Sequence, residues 1–593
     1  MSQQVTNGEA LDDLESRVVE EISIEEPWAL LEEFSDLERV SGSADERKAA
    51  AYLTDRLDAL GVAHERYDPE LYISQPHDAE LRALDREFEP GPTKTVSFAA
   101  SGTVSGPVRD VGSAGGDLLG SDDDPHEPYH DVSDLTGDLA LTAVGSLSIR
   151  AMNVLEAKGA AGIVAIHQHD REPHNGIATP IWGGAPRLDE KGKIPDVPIV
   201  NVNRPDGETL REWTKSEAGL ELELSTDFTT DWMACPVVIA EIEAGAAETE
   251  DFALLHGHYD SWYVGVTDNA TGDAGLLELA RTLDAHADEL QRNLRVAWWP
   301  GHSTGRYAGS TWYAQQFALD LAEHCIAHMN MDSPGAKDAT EYTDMSCWAP
   351  EANDLAGGAI EDIAGASHAE HHPHRAGDYS FDNLGITGLF MLSSNIPTAE
   401  RERRGYHAVG GCGGNSNAWH LSTDTVEKAG EAELLRDIRV YAVSLLRVLN
   451  ADVLPFDHAY ATRRLVEHVE AYDDAAGEDF DFEPTLAELH ALAPEIEAFQ
   501  DVARENRIDA QIANETITSL SRVLTRLNLV QRGPFEQDPA ISRDPIPRLA
   551  PAKKFPIIEG DDVRFLRRQL QRQQNAIVRE LREARELLPD IDA

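Results

Sequence analysis

The sequence is poor in basic residues and has no long apolar run. Its 593 residues include 50 Lys and Arg, only ten of them Lys, against 107 Asp and Glu, which gives a formal net charge of −57. Such a surface repels nucleic acid and anionic membranes, so neither is expected as a partner. No apolar run reaches the length of a membrane span, and the first residues lack the basic and apolar parts of a secretion signal. We therefore expect a soluble, cytoplasmic protein.

The acidic excess is spread along segments that keep helical or strand periodicity, which is not typical of a disordered tail. Because salt screens self-repulsion, this composition predicts a halophilic protein. Cysteine is also scarce: Cys235, Cys325, Cys347 and Cys412 lie far apart and form no CxxC pair. We expect them to be reduced and structural, since their spacing suits neither a disulfide framework nor a zinc ribbon.

A chain of this length exceeds what one hydrophobic core usually organises, so two or three domains are expected. Apolar strands alternate with helices from about residue 231, which predicts a mainly parallel mixed sheet in an α/β domain. Short β-type runs precede this region, and amphipathic helical patterns follow it to the end. The predicted division is an α/β domain from 1–75 and 231–455, an inserted β-rich domain at 76–230, and a helical domain at 456–593.

Histidine and aspartate residues accumulate where three elements of the α/β region begin or end. His258 closes the strand FALLHGH, Asp332 closes IAHMNMD, and Asp268 precedes the helix TGDAGLLELAR. Because the carboxyl ends of parallel strands share one edge of a sheet, these side chains are predicted to form a metal site there. Asp260 is placed to orient a ligand, and His420 is a fourth candidate ligand. Taken singly, each has a plainer interpretation as a satisfied polar residue or a helix cap.

Taken together and in this order, HYDSW, DNATG, NMD and WHLSTDT resemble the co-catalytic zinc aminopeptidase and glutamate carboxypeptidase family. The segment LSIRAMNVLEAKGAAGIVAIH is similar to the protease-associated domain that some members carry as an insertion. The helical tail matches in position the dimerisation domain of the glutamate carboxypeptidase and transferrin receptor branch. The resemblance thus implies a homodimeric metallopeptidase-like hydrolase with a protease-associated-like insertion and a dimerisation-like C-terminal domain.

The resemblance also implies roles for the site residues. His258 and Asp332 would hold one metal ion, Asp268 would bridge to a second, and His420 would bind that second ion. One or two Zn²⁺ ions are implied, with cobalt or manganese as alternatives. A metal-activated water would attack the carbonyl of a peptide or small amide substrate.

The family has two adjacent glutamates after the strand that corresponds to RVAWWP, whereas this sequence has GHSTG. The pair falls on His302 and Ser303 or on Ser303 and Thr304. Three accounts compete: His302 serves as ligand or general base; another acid such as Asp378 supports catalysis at a one-metal site; or the chain is a non-catalytic scaffold, as the transferrin receptor is. The retained ligand set favours an enzyme, with Asp260 and His302 as its catalytic residues.

Three further groups have two interpretations each. Trp262, Tyr263, Trp298 and Trp299 are predicted to be core rather than a substrate platform. The run HAEHHPHR at 368–375 is predicted to be a solvent-exposed loop rather than a metal tract. The sequence does not decide whether Arg401, Arg403 and Arg404 meet a substrate carboxylate or offset neighbouring acids.

Overall fold

The structure is a computed structural model that describes residues 11–590 except 114–128, 130, 144–148, 217–218, 345, 374, 376, 391–392 and 407–412. The described chain is a mixed α/β protein with one six-stranded and one eight-stranded sheet. Cys235, Cys325 and Cys347 are buried, and none of them forms a disulfide with another described cysteine. Cys412 lies outside the described residues. Among the described helices, none is long and apolar enough to cross a bilayer.

Three helices begin the described chain: α1 (Asp13–Glu21), α2 (Glu25–Phe34) and α3 (Ala44–Leu60). Their ends follow local signals. The Ser43 side chain accepts a hydrogen bond from the Glu46 backbone N–H, and Gly61 ends α3 in a left-handed conformation with φ of 80°. The apolar stripes of these helices join the main hydrophobic core. Residues 13–60 are therefore mostly helical.

The six-stranded sheet is mainly parallel, as the strand–helix alternation predicts. Its strand order is β1-β10-β12-β11-β13-β14, and the three pairings of β12, β11, β13 and β14 are parallel. Alternate residues face two separate cores: Trp298 lies on one side and Trp299 on the other, and both are fully buried. The strands are β1 (His64–Tyr67), β10 (Val237–Ile242), β11 (Phe252–His258), β12 (Asn293–Trp299), β13 (Cys325–Asn330) and β14 (Thr387–Leu389).

Helices flank this sheet on both faces. The stretch RYAGSTWYAQQFALDLAEH has a continuous helical pattern in its sequence, but it forms two short helices that meet at Phe317. Phe317 has φ of −110° and its ring packs against Tyr67 and Tyr313, so tertiary packing overrides the helical pattern there. The helices of this domain are α6 (Thr271–Ala285), α7 (Ala308–Gln316), α8 (Ala318–His324), α9 (Asn353–Ala364), α10 (Thr398–Arg404) and α11 (Glu431–Leu449).

The eight-stranded sheet lies between β1 and β10 in the chain and is entered and left through two long paired strands. β2 (Glu70–Ala83) and β9 (Glu221–Ala234) run antiparallel from the Leu71↔Met233 pair to the Ala83↔Leu222 pair. The predicted boundaries at 76 and 230 fall inside this two-stranded ribbon. The remaining elements are β3 (Lys94–Ser97), β4 (Gly102–Gly112), β5 (Leu139–Ala143), α4 (Ile149–Ala157), β6 (Gly162–Ile166), β7 (Gly176–Ile177), β8 (Ile199–Val202) and α5 (Arg204–Thr214).

The C-terminal region is helical and has no strand among its described residues. Its helices are α12 (His458–Ala476), α13 (Glu483–Arg504), α14 (Ala510–Leu529) and α15 (Asp561–Glu586). The apolar stripe of α15, with Leu570 and Ile577, is buried within the chain, and ion pairs from Arg582 and Arg585 tie α15 to α13. The division into domains and the protease-associated-like and dimerisation-like assignments stay predictions.

Candidate metal centre

The carboxyl ends of β11, β12 and β13 lie side by side, and the predicted ligands meet there. His258 is the last residue of β11, and Asp332 follows β13 by two residues. The Nε2 atom of His258 lies 3.2 Å from Oδ1 of Asp268 and 3.8 Å from Oδ2 of Asp332. The Nε2 atom of His420 lies 3.2 Å from the other oxygen of Asp268. Asp268 thus lies between two imidazoles, as a bridging ligand would.

Asn269 fixes this arrangement. Its side-chain amide donates to the backbone carbonyls of His258 and Met331, and its amide oxygen accepts from the N–H of Ser333. These bonds join the ends of β11 and β13 to the turn that carries Asp268. The ligand positions are therefore set by backbone geometry.

The cluster is almost completely buried: His258 is 1% exposed, Asp268 4% and Asp332 2%. Burial opposes charge on His258, but the carboxylates of Asp260 and Asp268 raise its pKa well above the usual value. Burial favours the protonated form of Asp268, but the two adjacent imidazoles lower its pKa well below the usual value. Burial raises the pKa of Asp332. Nε2 of His258 and Oδ1 of Asp268 face each other at 3.2 Å without a hydrogen bond of normal geometry, and this nitrogen and oxygen donor set fits Zn²⁺.

His302 joins the same cluster. It lies in the loop after β12, its ring stacks on that of His258 with 3.7 Å between centroids, and donor atoms of His258, His302 and Asp332 lie within 4.8 Å of one another. Ser303 and Thr304, the other positions in register with the family's glutamates, supply no imidazole or carboxylate. At the position of the family's glutamates, this chain therefore has the imidazole of His302, which lies close to the predicted ligands His258 and Asp332.

Asp378 binds the far side of His302. The Nδ1–H of His302 donates to Oδ2 of Asp378 at 2.8 Å, and the hydroxyl of Ser310 donates to Oδ1 at 2.6 Å. Burial acts to raise the pKa of Asp378, but His302 outweighs it and the pKa is lowered. An ionised Asp378 keeps the ring proton on Nδ1 and leaves the lone pair on Nε2, the nitrogen available to a metal or a proton. His302 and Asp378, which belong to separate accounts at the sequence level, form one pair.

Asp260 binds the loop that carries His302. Its carboxylate accepts hydrogen bonds from the backbone N–H groups of His302 at 3.0 Å and Ser303 at 3.2 Å. Nδ1 of His258 lies 3.0 Å from the backbone carbonyl of Asp260 and 3.6 Å from its carboxylate. The orienting bond to His258 that was expected from the carboxylate is thus made by the main chain of the same residue.

Asp424 was missed in the sequence, although it lies four residues after His420 in WHLSTDT. Its carboxylate accepts hydrogen bonds from the N–H and hydroxyl of Thr267 and from the N–H of Asp268. Burial raises its pKa to about 7. Asp424 therefore holds the backbone on which Asp268 is presented.

The eight-stranded region also reaches the site, through the stretch 172–175, which sequence reasoning did not single out. The backbone carbonyl of Asn175 lies 3.2 Å from Nδ1 of His420, and Glu172 accepts hydrogen bonds from Ser422 and Tyr263. His174 lies beside His420, with 5.3 Å between ring centroids. The three histidines in HQHDREPH, two of them in an HxH pattern, could have marked this stretch as a candidate part of the site.

Trp298, Trp299, His371 and the three arginines of α10 are not part of the cluster. Trp298 and Trp299 are core residues. His371 binds the backbone carbonyl of Thr343, and His374 of the same run lies outside the described residues. The three arginines of α10 pair with acids, which supports charge offset: Arg401 with Asp344, Arg403 with Glu400, and Arg404 with Glu400 and Asp338.

Comparison with curated proteins gives partial matches. The chain is 25% identical to a probable glutamate carboxypeptidase VP8 of Zea mays over 243 residues, 38% of this chain and 32% of that protein. It is 29% identical to the aminopeptidase NAALADL1 of Mus musculus over 127 residues, 21% of this chain and 17% of that protein. It is 20% identical to a probable glutamate carboxypeptidase LAMP1 of Arabidopsis thaliana over 59% of this chain and 56% of that protein. The matches thus span less than two thirds of these relatives.

Solved structures show the fold. A Peptidase M28 precursor from Shewanella amazonensis SB2B superposes with a TM-score of 0.57 at 16% identity, over 74% of this chain and 97% of that one. An aminopeptidase from Aneurinibacillus sp. strain AM-1 gives 0.54 at 20% identity, over 72% and 95%. The family model described as Peptidase family M28 matches residues 237–443. These residues, which carry β10 to most of α11 and the whole cluster, are therefore a Peptidase family M28 domain.

Proposed function

We propose that the chain is a metal-dependent hydrolase of peptide or related amide bonds. The observation that carries the proposal is the buried cluster in which Asp268 lies 3.2 Å from both His258 and His420 while His258, His302 and Asp332 converge within 4.8 Å. Membership of residues 237–443 in a peptidase family and zinc aminopeptidases of the same fold support it. Nε2 of His258 is buried between the carboxylates of Asp268 and Asp332 without a hydrogen bond of normal geometry, which favours a metal enzyme over a non-catalytic scaffold.

His258 and Asp332 would hold one ion, Asp268 would bridge to a second, and His420 would bind that second ion. Zn²⁺ in such a site supplies Lewis acidity, which polarises an amide carbonyl and lowers the pKa of water. Asn269 and Asp424 hold the backbone of the ligand-bearing segments, so the donor atoms need little rearrangement to bind.

His302 would act at the position of the family's glutamates. Asp378 holds the Nδ1–H of His302, which leaves the lone pair on Nε2, so Nε2 would accept a proton from water as it attacks the amide carbon and return that proton to the departing nitrogen. The same nitrogen is also close enough to the cluster to serve as a ligand. In both roles Asp378 stabilises the positive charge that His302 gains.

The proposal is tested with full-length protein purified in high salt and assayed on aminoacyl, N-acyl and peptidyl amides. Activity is expected to vanish with chelator and to return with zinc, cobalt or manganese. His258→Ala and Asp268→Asn should abolish both metal binding and activity. His302→Ala should lower turnover by about 10²-fold or more with metal content retained if His302 is the base, and with reduced metal content if it is a ligand.

Glu400→Gln on the surface helix α10 is a matched control, because Glu400 pairs only with arginines far from the cluster, and it should behave as wild type. A wild-type protein that binds no divalent metal, or one whose activity survives chelation, would contradict the proposal. Full turnover and full metal content in His302→Ala would remove the role of His302 and leave the hydrolase intact.

A further inference from the structure

His174 is a buried imidazole from the eight-stranded region that lies against the metal cluster. Its ring is 5.3 Å from that of His420 and 5.0 Å from that of Trp419, centroid to centroid. The next residue, Asn175, contacts His420 through its backbone carbonyl. Since a residue adjacent in the chain is fixed on His420, the position of His174 beside that ligand is set by the fold.

Neither ring nitrogen of His174 has a hydrogen-bond partner, although the residue is only 5% exposed. A buried polar group without a partner costs about 1–3 kcal/mol, so it calls for a ligand. The second metal ion of the proposed function lacks a third protein ligand. Among the described residues, the proposed function assigns this ion only two protein ligands, Asp268 and His420, whereas catalytic zinc sites usually have three.

We propose that His174 supplies the third protein ligand of the second metal ion, in place of the missing glutamate carboxylate. The inference rests on the proposed function. It assigns a metal ligand to the eight-stranded region, outside residues 237–443. An imidazole ligand brings no negative charge, so the second ion is expected to bind more weakly than the first.

The neighbouring His167 is a poorer candidate. Its ring is 4.7 Å from that of His174, but its Nδ1 accepts a hydrogen bond from the backbone N–H of His169 at 3.2 Å. That bond places the ring proton of His167 on Nε2, which removes the lone pair that a metal would need. His167 is therefore a matched control: it is buried, near the site, and of the same residue type.

The first test counts metal ions in full-length protein by elemental analysis and by calorimetric titration of the metal-free form with Zn²⁺. Wild type and His167→Asn are expected to bind two ions. His174→Asn should bind one ion normally and lose the second, with affinity weakened more than about 100-fold, beyond the 10–100-fold range typical of residues outside the ligand set. His174→Asp should restore the second ion because it returns a carboxylate.

The second test reports contact between side chain 174 and the metal. His174→Cys loaded with Co²⁺ should show a thiolate-to-cobalt charge-transfer absorption in the near ultraviolet, which wild type and His167→Cys should lack. No such band, together with two ions retained in His174→Asn, would overturn the inference; chelator-sensitive activity would then still support the proposed function. Absence of any metal in wild type would overturn the proposed function and this inference with it.

Discussion

At the residue scale, the pairing of His302 with Asp378 places a carboxylate directly behind the imidazole that stacks on the predicted ligand His258. Burial alone would favour a protonated Asp378, but the hydrogen bond from His302 lowers its pKa and keeps it ionised. The pair therefore carries the same net charge as one carboxylate while presenting a nitrogen to the cluster. Under the proposed function, this pair would take the place of a glutamate carboxylate beside the metal.

Asp378→Asn tests this pairing. The amide can donate its N–H to Nδ1 and so favour the tautomer whose Nε2 is protonated, so we expect turnover to fall by about 10²-fold or more. Turnover is measured at saturating metal, beside metal content and circular dichroism. Ser310→Ala removes the second hydrogen bond to Asp378 but keeps the one from His302, and should cost about 10-fold or less. Equal turnover in wild type and Asp378→Asn would show that His302 does not depend on this carboxylate.

At the scale of elements, the sequence predicts best where a signal is local. Ser43 and Gly61 mark the ends of α3, and β11 and β13 are continuous apolar runs that end in ligands. It fails where partners are distant in the chain. Phe317 interrupts a helical pattern through contacts with Tyr67, and Asp378 meets His302 only because separate loops share one edge of the sheet. No spacing rule reports such contacts.

His458 at the start of α12 gives an element-scale prediction that is independent of metal. It is fully buried against α14, where its Nε2 lies 3.1 Å from the carbonyl of Ile517 and 3.0 Å from the hydroxyl of Ser521, and burial lowers its pKa. A folded-state pKa below the unfolded value means that this contribution to stability is complete above about pH 6.5 and is lost progressively as pH falls below it.

His458→Gln keeps a neutral donor at this position and should flatten the acid-side dependence of stability. The slope of the free energy of unfolding against pH below about 6 should decrease by up to about 1.4 kcal/mol per pH unit, the value for one proton. Chemical unfolding of the metal-free protein at several pH values measures it. His490→Gln, on a helix but with no resolved hydrogen bond, is the control and should keep the wild-type slope. Identical slopes in His458→Gln and wild type would contradict the assignment.

At the scale of the whole molecule, the net charge of −57 is the dominant property. The described ion pairs use most of the scarce arginines on local acids, which leaves a large uncompensated negative surface. Because added salt screens this repulsion, the melting temperature is expected to rise from low to molar KCl. Differential scanning calorimetry with metal held constant measures it. A melting temperature that stays level or falls would count against adaptation to high salt.

The homodimer implied by the resemblance stays a prediction. The structure argues against the apolar stripe of α15 as its interface. The buried residues of the α15 stripe, such as Leu570 and Leu581, already pack within the chain, so a dimer would use a different surface. We expect light scattering in molar salt to give twice the chain mass of 65.0 kDa at micromolar concentration. A particle of single-chain mass would rule the dimer out.

The ribbon of β2 and β9 has a consequence for the order of folding. β1 pairs with β10, as in His64↔Ala240, across the whole length of the eight-stranded region. Closing so long a loop in an unstructured chain costs conformational entropy before any contact repays it. Once β2 and β9 have paired, however, the ends of β1 and β10 are already neighbours. We therefore expect the eight-stranded region to fold first and to nucleate the edge of the six-stranded sheet, so that cotranslational emergence of residues 64–242 precedes completion of the metal centre.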